Sequence, residues 1–146
     1  MELIELLRNV EIFEGLTDKQ LRKIAGIFEE SVLHQDEVLF FQGEKADRLY
    51  LIKSGFVELI VDASSSSGER VIRNLGQGQS VGEMTWVDHG KRSVTVRSVT
   101  EGTTVVSVSF EAFDELCEKN PRIGYRVSRN IASDLSFRLR QDSETL

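Results

Sequence analysis

Residues 31–110 consist of short apolar runs separated by glycines, and this pattern limits the fold more than any other feature of the chain. Six runs are rich in β-branched or aromatic residues: 37–41, 48–53, 56–61, 71–75, 94–99 and 103–108. Glycines stand between or beside them at Gly43, Gly55, Gly68, Gly76, Gly78, Gly90 and Gly102. Short strands with glycine turns are typical of antiparallel all-β layers. The stretch therefore predicts a sandwich, a barrel or a jelly roll.

Helical periodicity replaces this pattern at the N-terminal end, over residues 1–28. Apolar residues recur at helical spacing from Leu3 to Val10, and Gly15 interrupts the series. Thr17 and Gln20 have the spacing of a capping box, in which each side chain satisfies a free backbone N–H group at the start of a helix. We expect these helices to pack on the strands that follow.

A second helical region follows Phe110. Asn120 and Pro121 predict the start of a helix over residues 121–140, with Asn120 as its cap. An apolar stripe recurs every four residues along this helix: Ile123, Val127, Ile131, Leu135 and Leu139. The stripe predicts either packing within the domain or a seam for a partner helix, which would give a homodimer through the C-terminal helix. Arg122, Arg126 and Arg129 lie on another face, which is either solvated or docks an acidic partner.

The segment 81–96, VGEMTWVDHGKRSVTV, has the residue types of a small anion pocket. Gly82 lacks a Cβ, so a ligand could approach the backbone there. A short helix over residues 83–87 would direct free N–H groups at an anion, and Arg92 could bind a phosphate through two parallel hydrogen bonds. Glu83 would repel a phosphate, so we expect it to accept hydrogen bonds from hydroxyl groups such as those of a ribose. A compact cyclic nucleotide suits a site with one arginine.

This segment resembles the phosphate-binding cassette of cyclic nucleotide-binding domains, as found in the cAMP receptor protein and the protein kinase A regulatory subunit. RLYLIKSG at 48–55 and LGQGQSVGEM at 75–84 resemble two further turns of the same fold. The resemblance implies that Glu83 takes the ribose 2′-hydroxyl and Arg92 the cyclic phosphate. It also implies that Gly82 allows close backbone approach and that Ser93 adds a donor to the phosphate. Met84, next to Glu83, completes the expected ligand-binding set.

The resemblance implies an α+β, mainly β fold: an antiparallel β-roll, or jelly roll, flanked by N-terminal and C-terminal helices. We expect one domain over 1–146, with helices in 1–30, the roll with its cassette in 31–110, and helices in 111–146. The implied function is that of a regulatory sensor, not an enzyme, which binds cAMP or also cGMP and signals by moving its C-terminal helix. The chain ends soon after the last predicted helix. We therefore expect no DNA-reading unit, so that either a separate protein is the output partner or the chain is a fragment.

The charge, the cysteine content and the apolar runs of the chain argue against several classes of protein. The net charge of −6 argues against broad binding to nucleic acid or to an anionic membrane. Cys117 is the one cysteine, the N-terminal residues do not have the pattern of a signal peptide, and no apolar run reaches the length of a membrane span. We therefore expect a cytoplasmic protein.

Two alternative functions remain open at this stage. A metal-binding jelly-roll enzyme of the cupin type would need several converging ligands, whereas the chain has two separated histidines, His34 and His89. A degenerate β-roll that binds no nucleotide would serve protein contacts only. Trp86 is expected to anchor the cassette helix against the roll, with stacking on a base as the alternative. Residues 64–67, four serines, are expected to form a mobile loop.

Overall fold

The computed structural model describes residues 2–62 and 68–144, so the predicted serine loop at 64–67 lies outside the described residues. The N-terminal helices are α1 (Leu3–Arg8), a 3₁₀ turn (Glu11–Phe13) and α2 (Asp18–Ala25). The strands are β1 (Glu29–Leu33), β2 (Val38–Phe40), β3 (Arg48–Ser54), β4 (Val57–Asp62), β5 (Glu69–Leu75), β6 (Ser80–Val81), β7 (Thr95–Ser98) and β8 (Thr103–Ser109). Helix α3 (Glu83–Asp88) lies between β6 and β7, and α4 (Phe110–Lys119) and α5 (Pro121–Glu144) follow β8.

The strands form two antiparallel four-stranded sheets, with orders β1-β8-β3-β6 and β2-β7-β4-β5. Eight buried apolar residues form one cluster contributed by both sheets: Leu33, Phe40, Ile52, Val57, Leu75, Val81, Val96 and Val105. Consecutive strands lie in different sheets at every connection except that between β4 and β5, so the chain repeatedly crosses between the two layers. This is the predicted antiparallel β-roll, and the helices flank it at both ends of the chain as expected.

All six predicted strands are present, but two further strands were not predicted. In β1 only Leu33 is buried, so the run has no alternation that a sequence pattern could show. Pairing with β8, from Glu29 opposite Ser107 to Leu33 opposite Thr103, makes it a strand. Strand β6 has two residues, paired with Tyr50 and Leu51 of β3, and is too short to show any period.

A second apolar cluster joins the helices to β3 and β8. It includes Leu7 of α1, Ile24 of α2, Leu49 of β3, Val108 of β8 and Phe113 of α4. The predicted capping box is confirmed at α2, where the Gln20 N–H donates to Thr17 Oγ1 and the Thr17 N–H donates to Gln20 Oε1. None of the helices within residues 2–62 and 68–144 has the length and apolar character needed to cross a membrane.

The apolar stripe of α5 serves packing within the domain. Ile123, Val127 and Ile131 are buried in the helical cluster and Leu135 packs against its border. Leu139 instead has 67% of its surface exposed. The three buried residues therefore leave no apolar seam of their own for a partner helix.

Asn120 precedes α5 as predicted, but its side chain does not cap that helix. Its Oδ1 accepts a hydrogen bond from Lys23 Nζ at 2.8 Å, and its Nδ2 donates to the Leu116 carbonyl at 3.0 Å. The side chain therefore closes the end of α4 and ties it to α2. The capping prediction was wrong because Asn120 lies between α4 and α5. Its side chain forms a hydrogen bond with the end of α4 and not with the start of α5.

Candidate ligand-binding site

Gly82 reverses the chain between β6 and α3, which is the short helix predicted from the cassette. Its φ of 94° lies in the left-handed region that favours glycine. A Cβ at this position would collide with the Arg92 guanidinium and would lie 3.2 Å from the Arg48 carbonyl oxygen. The space beside Gly82 is therefore occupied by the protein's own arginine, and glycine is required for packing.

Arg92 is buried, with 4% of its surface exposed. Its Nη2 donates to the Arg48 carbonyl at 2.7 Å and its Nη1 to Thr85 Oγ1 at 3.2 Å. The guanidinium carbon lies 4.0 Å from the centre of the Phe40 ring, in a cation–π arrangement.

No carboxylate of the described residues forms an ion pair with Arg92. Burial lowers the pKa of this guanidinium, whereas coulombic interactions with Tyr50, Asp47 and Glu44 act in the opposite direction. Two of its N–H groups bond to protein oxygens, and a guanidinium carries five. Among the described residues, this buried side chain therefore has no carboxylate within ion-pair distance, and three of its N–H groups form no hydrogen bond to the protein.

Glu83 is the first residue of α3 and is partly buried. One of its oxygens, Oε2, accepts a hydrogen bond from Ser80 Oγ at 3.2 Å. Burial raises the pKa of Glu83, and the nearby Asp134 acts in the same direction. Its own backbone N–H, the Ser80 hydroxyl and Arg138 oppose that rise.

Both charged side chains line one cavity of about 470 Å³, within the size range of small-molecule sites. All five residues predicted to contact a ligand are in its lining: Gly82, Glu83, Met84, Arg92 and Ser93. Its walls come from the cassette, from Leu59, Arg73 and Leu75 on β4 and β5, and from α5. The cavity therefore places a permanent cation and a hydrogen-bond-accepting carboxylate where one compact ligand can meet both.

Helix α5 contributes three polar residues to this cavity that the sequence analysis did not assign: Asn130, Asp134 and Arg138. Asn130 is already engaged, since its Nδ2 donates to the carbonyls of Ile12 and Glu14 at 2.9 Å each. Asp134 and Arg138 form an ion pair at 3.0 Å. Their spacing of four residues was visible in the sequence, but only the fold shows which face of α5 covers the cavity.

Trp86 connects the cassette to α4. Its indole N–H donates to Asp114 Oδ1 at 2.8 Å, and its ring meets Phe113 edge to face with 4.9 Å between ring centres. The anchoring role predicted for Trp86 is confirmed: its hydrogen-bond and ring partners lie on α4, and it packs against the apolar cluster that β3 and β8 of the roll share with the helices. Trp86 does not line the cavity, so the structure gives no support to the alternative of stacking on a base there.

Neither of the two histidines lines this cavity. His34 pairs with Glu101 at 2.7 Å, and His89 ends α3 with a positive φ of 56°. Over the described parts of the chain, no group of three or more His, Cys, Asp or Glu residues could hold a metal ion. Cys117 packs on Gly124, and burial raises the pKa of its thiol to about 11, so it is a weak nucleophile at neutral pH.

Comparison with known proteins agrees with this geometry. The family model described as "Cyclic nucleotide-binding domain" matches residues 30–120. The cyclic AMP receptor protein of Thermus thermophilus is 30% identical over 92% of this chain, which spans 60% of the receptor's length. A cGMP-dependent protein kinase of Caenorhabditis briggsae is 29% identical over 79% of this chain, which covers 15% of the kinase.

A solved structure extends the likeness to the helices. The N-terminal domain of a transcriptional regulator from Streptomyces coelicolor superposes with a TM-score of 0.83 at 25% identity, covering 97% of this chain and 95% of that domain. The family match alone includes β2 to β8, the cassette and all of α4. The chain therefore belongs to the cyclic nucleotide-binding domain family.

Proposed function

We propose that this chain is a single regulatory domain that binds cAMP, with cGMP as a weaker or competing ligand, in the cavity between the cassette and α5. The observation that carries the proposal is Arg92, a buried guanidinium that lacks a carboxylate partner among the described residues and lines the same cavity as Glu83. A buried cation is costly unless an anion compensates it. A cyclic phosphate supplies that anion, and the attached ribose supplies a hydroxyl for the carboxylate.

Each cassette residue binds a different part of the ligand. Arg92 donates charge-assisted hydrogen bonds to the phosphate, and Ser93 adds a hydroxyl donor at the cavity wall. Glu83 accepts a hydrogen bond from the ribose 2′-hydroxyl through the carboxylate oxygen that Ser80 leaves free. Met84 supplies apolar contact, and the protein performs no chemical step on the ligand.

The identity of the base follows less directly. The two relatives described above are named for different nucleotides, a cyclic AMP receptor protein and a cGMP-dependent kinase. The receptor matches the larger share of this chain, which favours cAMP. Asp134 and Arg138 are the polar groups of α5 at the cavity. They lie where a base could extend beyond the ribose.

Signalling follows from the position of α5. Because Asp134 and Arg138 line the cavity, a ligand bound there would contact this helix and could change its position. The ligand shifts the helix only to the extent that it binds one arrangement more tightly. Trp86 provides a second connection, since it ties α3 to Asp114 of α4. The output partner is then a protein, reached in the cytoplasm, that distinguishes the two helix positions.

A thermal unfolding series tests this function. A ligand present at 100 times its dissociation constant stabilises the folded state by about 2.7 kcal/mol. For a chain of this size the midpoint should then rise by about 5–10 °C with cAMP. We expect a smaller or equal rise with cGMP and almost none with 5′-AMP, which carries a phosphate of different geometry. If no nucleotide raises the midpoint, the chain is instead the degenerate β-roll that serves protein contacts only.

Glu83→Gln should weaken nucleotide binding while it stabilises the ligand-free fold at neutral pH. The loss of a charge-assisted acceptor should reduce the free energy of binding by about 1–2 kcal/mol. Because burial raises the pKa of Glu83, the folded state holds this proton more strongly than the unfolded chain does. The resulting stabilisation is full below the ordinary pKa of about 4.3 and is lost as the pH rises through the higher folded pKa.

Urea unfolding of both proteins between about pH 4 and pH 7 measures this effect. The wild type should lose stability relative to Glu83→Gln as the pH increases, so the two midpoints separate towards neutral pH. Parallel pH profiles for the two proteins would show that Glu83 ionises freely and is not held in a desolvated position.

Trp86 should report ligand binding through its fluorescence, because the one tryptophan of the chain lies between α3 and α4. Movement of the cassette should change the distance from its indole to Asp114 and therefore its emission. Asp114→Ala removes the hydrogen bond and should shift the emission without ligand, at a stability cost of about 1 kcal/mol. Binding that leaves the wild-type emission constant would show that α3 and α4 keep their contact.

A further inference from the structure

An exposed basic surface lies at the end of the molecule where α2 meets the start of α5. Residues 15–26 carry three cations and one carboxylate, and residues 119–132 carry four cations and none, although the chain as a whole has a net charge of −6. The single carboxylate, Asp18, is paired with Arg8. Positive charge is therefore concentrated on these two segments of an acidic protein.

Two contacts bring the segments together. Lys23 of α2 donates to Asn120 at the start of α5, at 2.8 Å. In the turn that precedes α2, Arg126 lies against Gly15, where a Cβ would be 3.4 Å from the Arg126 Cδ. The residues that form the surface, here named the basic face, are Lys19, Lys23, Arg122, Tyr125, Arg126 and Arg129.

The five cations of the basic face are exposed, and none forms an ion pair with a described carboxylate. Tyr125 is 60% exposed, and Arg129 Nη1 donates to its hydroxyl at 3.3 Å. Arginine and tyrosine are the residue types that contribute most at protein interfaces. On α5 the members of the face follow spacings of three and four residues, opposite the buried Ile123 and Val127.

Helix stability does not account for these arginines. The first turn of α5 contains no acidic residue, and Arg122 occupies it. A cation near the positive end of a helix dipole lowers helix stability, typically by about 0.3–1 kcal/mol. Residues that oppose a local stability rule without a structural gain are often functional.

We propose that the basic face docks an acidic segment of a partner protein. Charge complementarity points to an anionic partner, and the size of the patch points to a short one. Nucleic acids and anionic membranes extend their charge over a wide area, where they would also meet the acidic remainder of this chain. A short acidic helix or peptide meets only the basic face. Helix α5 also carries Asp134 and Arg138, which line the cavity. The partner would therefore contact the same helix that the bound ligand contacts.

The test is a titration, without nucleotide, of a fluorescein-labelled helical peptide built from glutamate, alanine and leucine, followed by anisotropy. A counterpart with glutamine in place of glutamate is the neutral control. Lys19→Glu with Arg122→Glu reverses one charge on each helix, and both residues are exposed and take part in none of the ion pairs among the described residues. Lys45→Glu with Arg70→Glu is the matched control, because both are exposed cations outside the basic face and the cavity.

We expect the acidic peptide to bind the wild type and the matched control within about twofold of each other, and the basic-face variant at least about tenfold more weakly. Circular dichroism of each variant shows whether it is folded. Equal weakening by both double variants would overturn the proposal, since net charge alone would then explain binding. Absence of binding, or equal binding of the glutamine peptide, would also overturn it. The same holds if duplex DNA or phosphatidylserine vesicles bind the basic face more tightly than the peptide does.

Discussion

Arg92→Ala is expected to weaken cyclic nucleotide binding by about 2 kcal/mol or more, which is about 30-fold in the dissociation constant. The change removes the only buried cation found within the described residues and with it the charge-assisted hydrogen bonds to the phosphate. Calorimetric titration of the variant measures the loss directly. Unchanged affinity would show that the phosphate binds elsewhere.

The same substitution should affect folding less than it affects binding. The alanine removes a cation–π contact with Phe40 and the hydrogen bonds to the Arg48 carbonyl and Thr85 Oγ1. It also removes the cost of holding a desolvated charge, and it leaves no carboxylate without a partner. Arg92→Lys is the matched variant, because it keeps the charge and loses the planar guanidinium. Its affinity for the nucleotide should therefore fall between those of the wild type and Arg92→Ala. A stability loss in Arg92→Ala larger than its binding loss would indicate that this arginine is mainly structural.

Gly82→Ala is expected to destabilise the fold by about 2 kcal/mol or more and to weaken nucleotide binding as well. A non-glycine residue at a φ of 94° is strained by about 1–3 kcal/mol. The new Cβ would also displace the Arg92 guanidinium and press on the Arg48 carbonyl. Urea unfolding gives the stability change, and calorimetry gives the affinity.

Gly102→Ala is the control for backbone strain. Gly102 has a similar φ of 79°, but no atom lies within 4 Å of the position its Cβ would take. We expect this variant to lose about 1 kcal/mol of stability and to bind nucleotide normally. Equal stability losses at the two glycines, with equal affinities, would mean that the contact between residue 82 and Arg92 has no energetic role.

The sequence predicted the cassette well because its chemistry is local. A glycine, a carboxylate and an arginine in one short segment indicate both a turn and an anion site, and α3 and the shared cavity agree with that pattern. The roll was predictable for a related reason, since its longer strands are rich in β-branched or aromatic residues and glycines separate them. Strands β1 and β6 were not predicted because their own residues show no strand pattern. They are strands because β1 pairs with β8 and β6 pairs with β3.

Contacts between distant segments were harder to predict. The sequence shows that Trp86 is large and apolar, but its partner Asp114 is chosen by how α4 packs on α3. Asparagine is a residue type that often caps helices. The side-chain oxygen of Asn120, however, accepts a hydrogen bond from Lys23, which is 97 residues away in the chain. The polar face of α5 over the cavity depends on the rotation of that helix, which Ile123, Val127 and Ile131 set by packing inward.

Isothermal titration calorimetry of the ligand-free protein with cAMP, and then with cGMP, measures whether the cavity shared by Arg92 and Glu83 binds a cyclic nucleotide. We predict one site per chain with micromolar or tighter affinity for cAMP, equal or weaker affinity for cGMP, and a loss of both in Arg92→Ala. Absence of heat and of competition with either nucleotide, in a protein shown to be folded, would contradict this prediction.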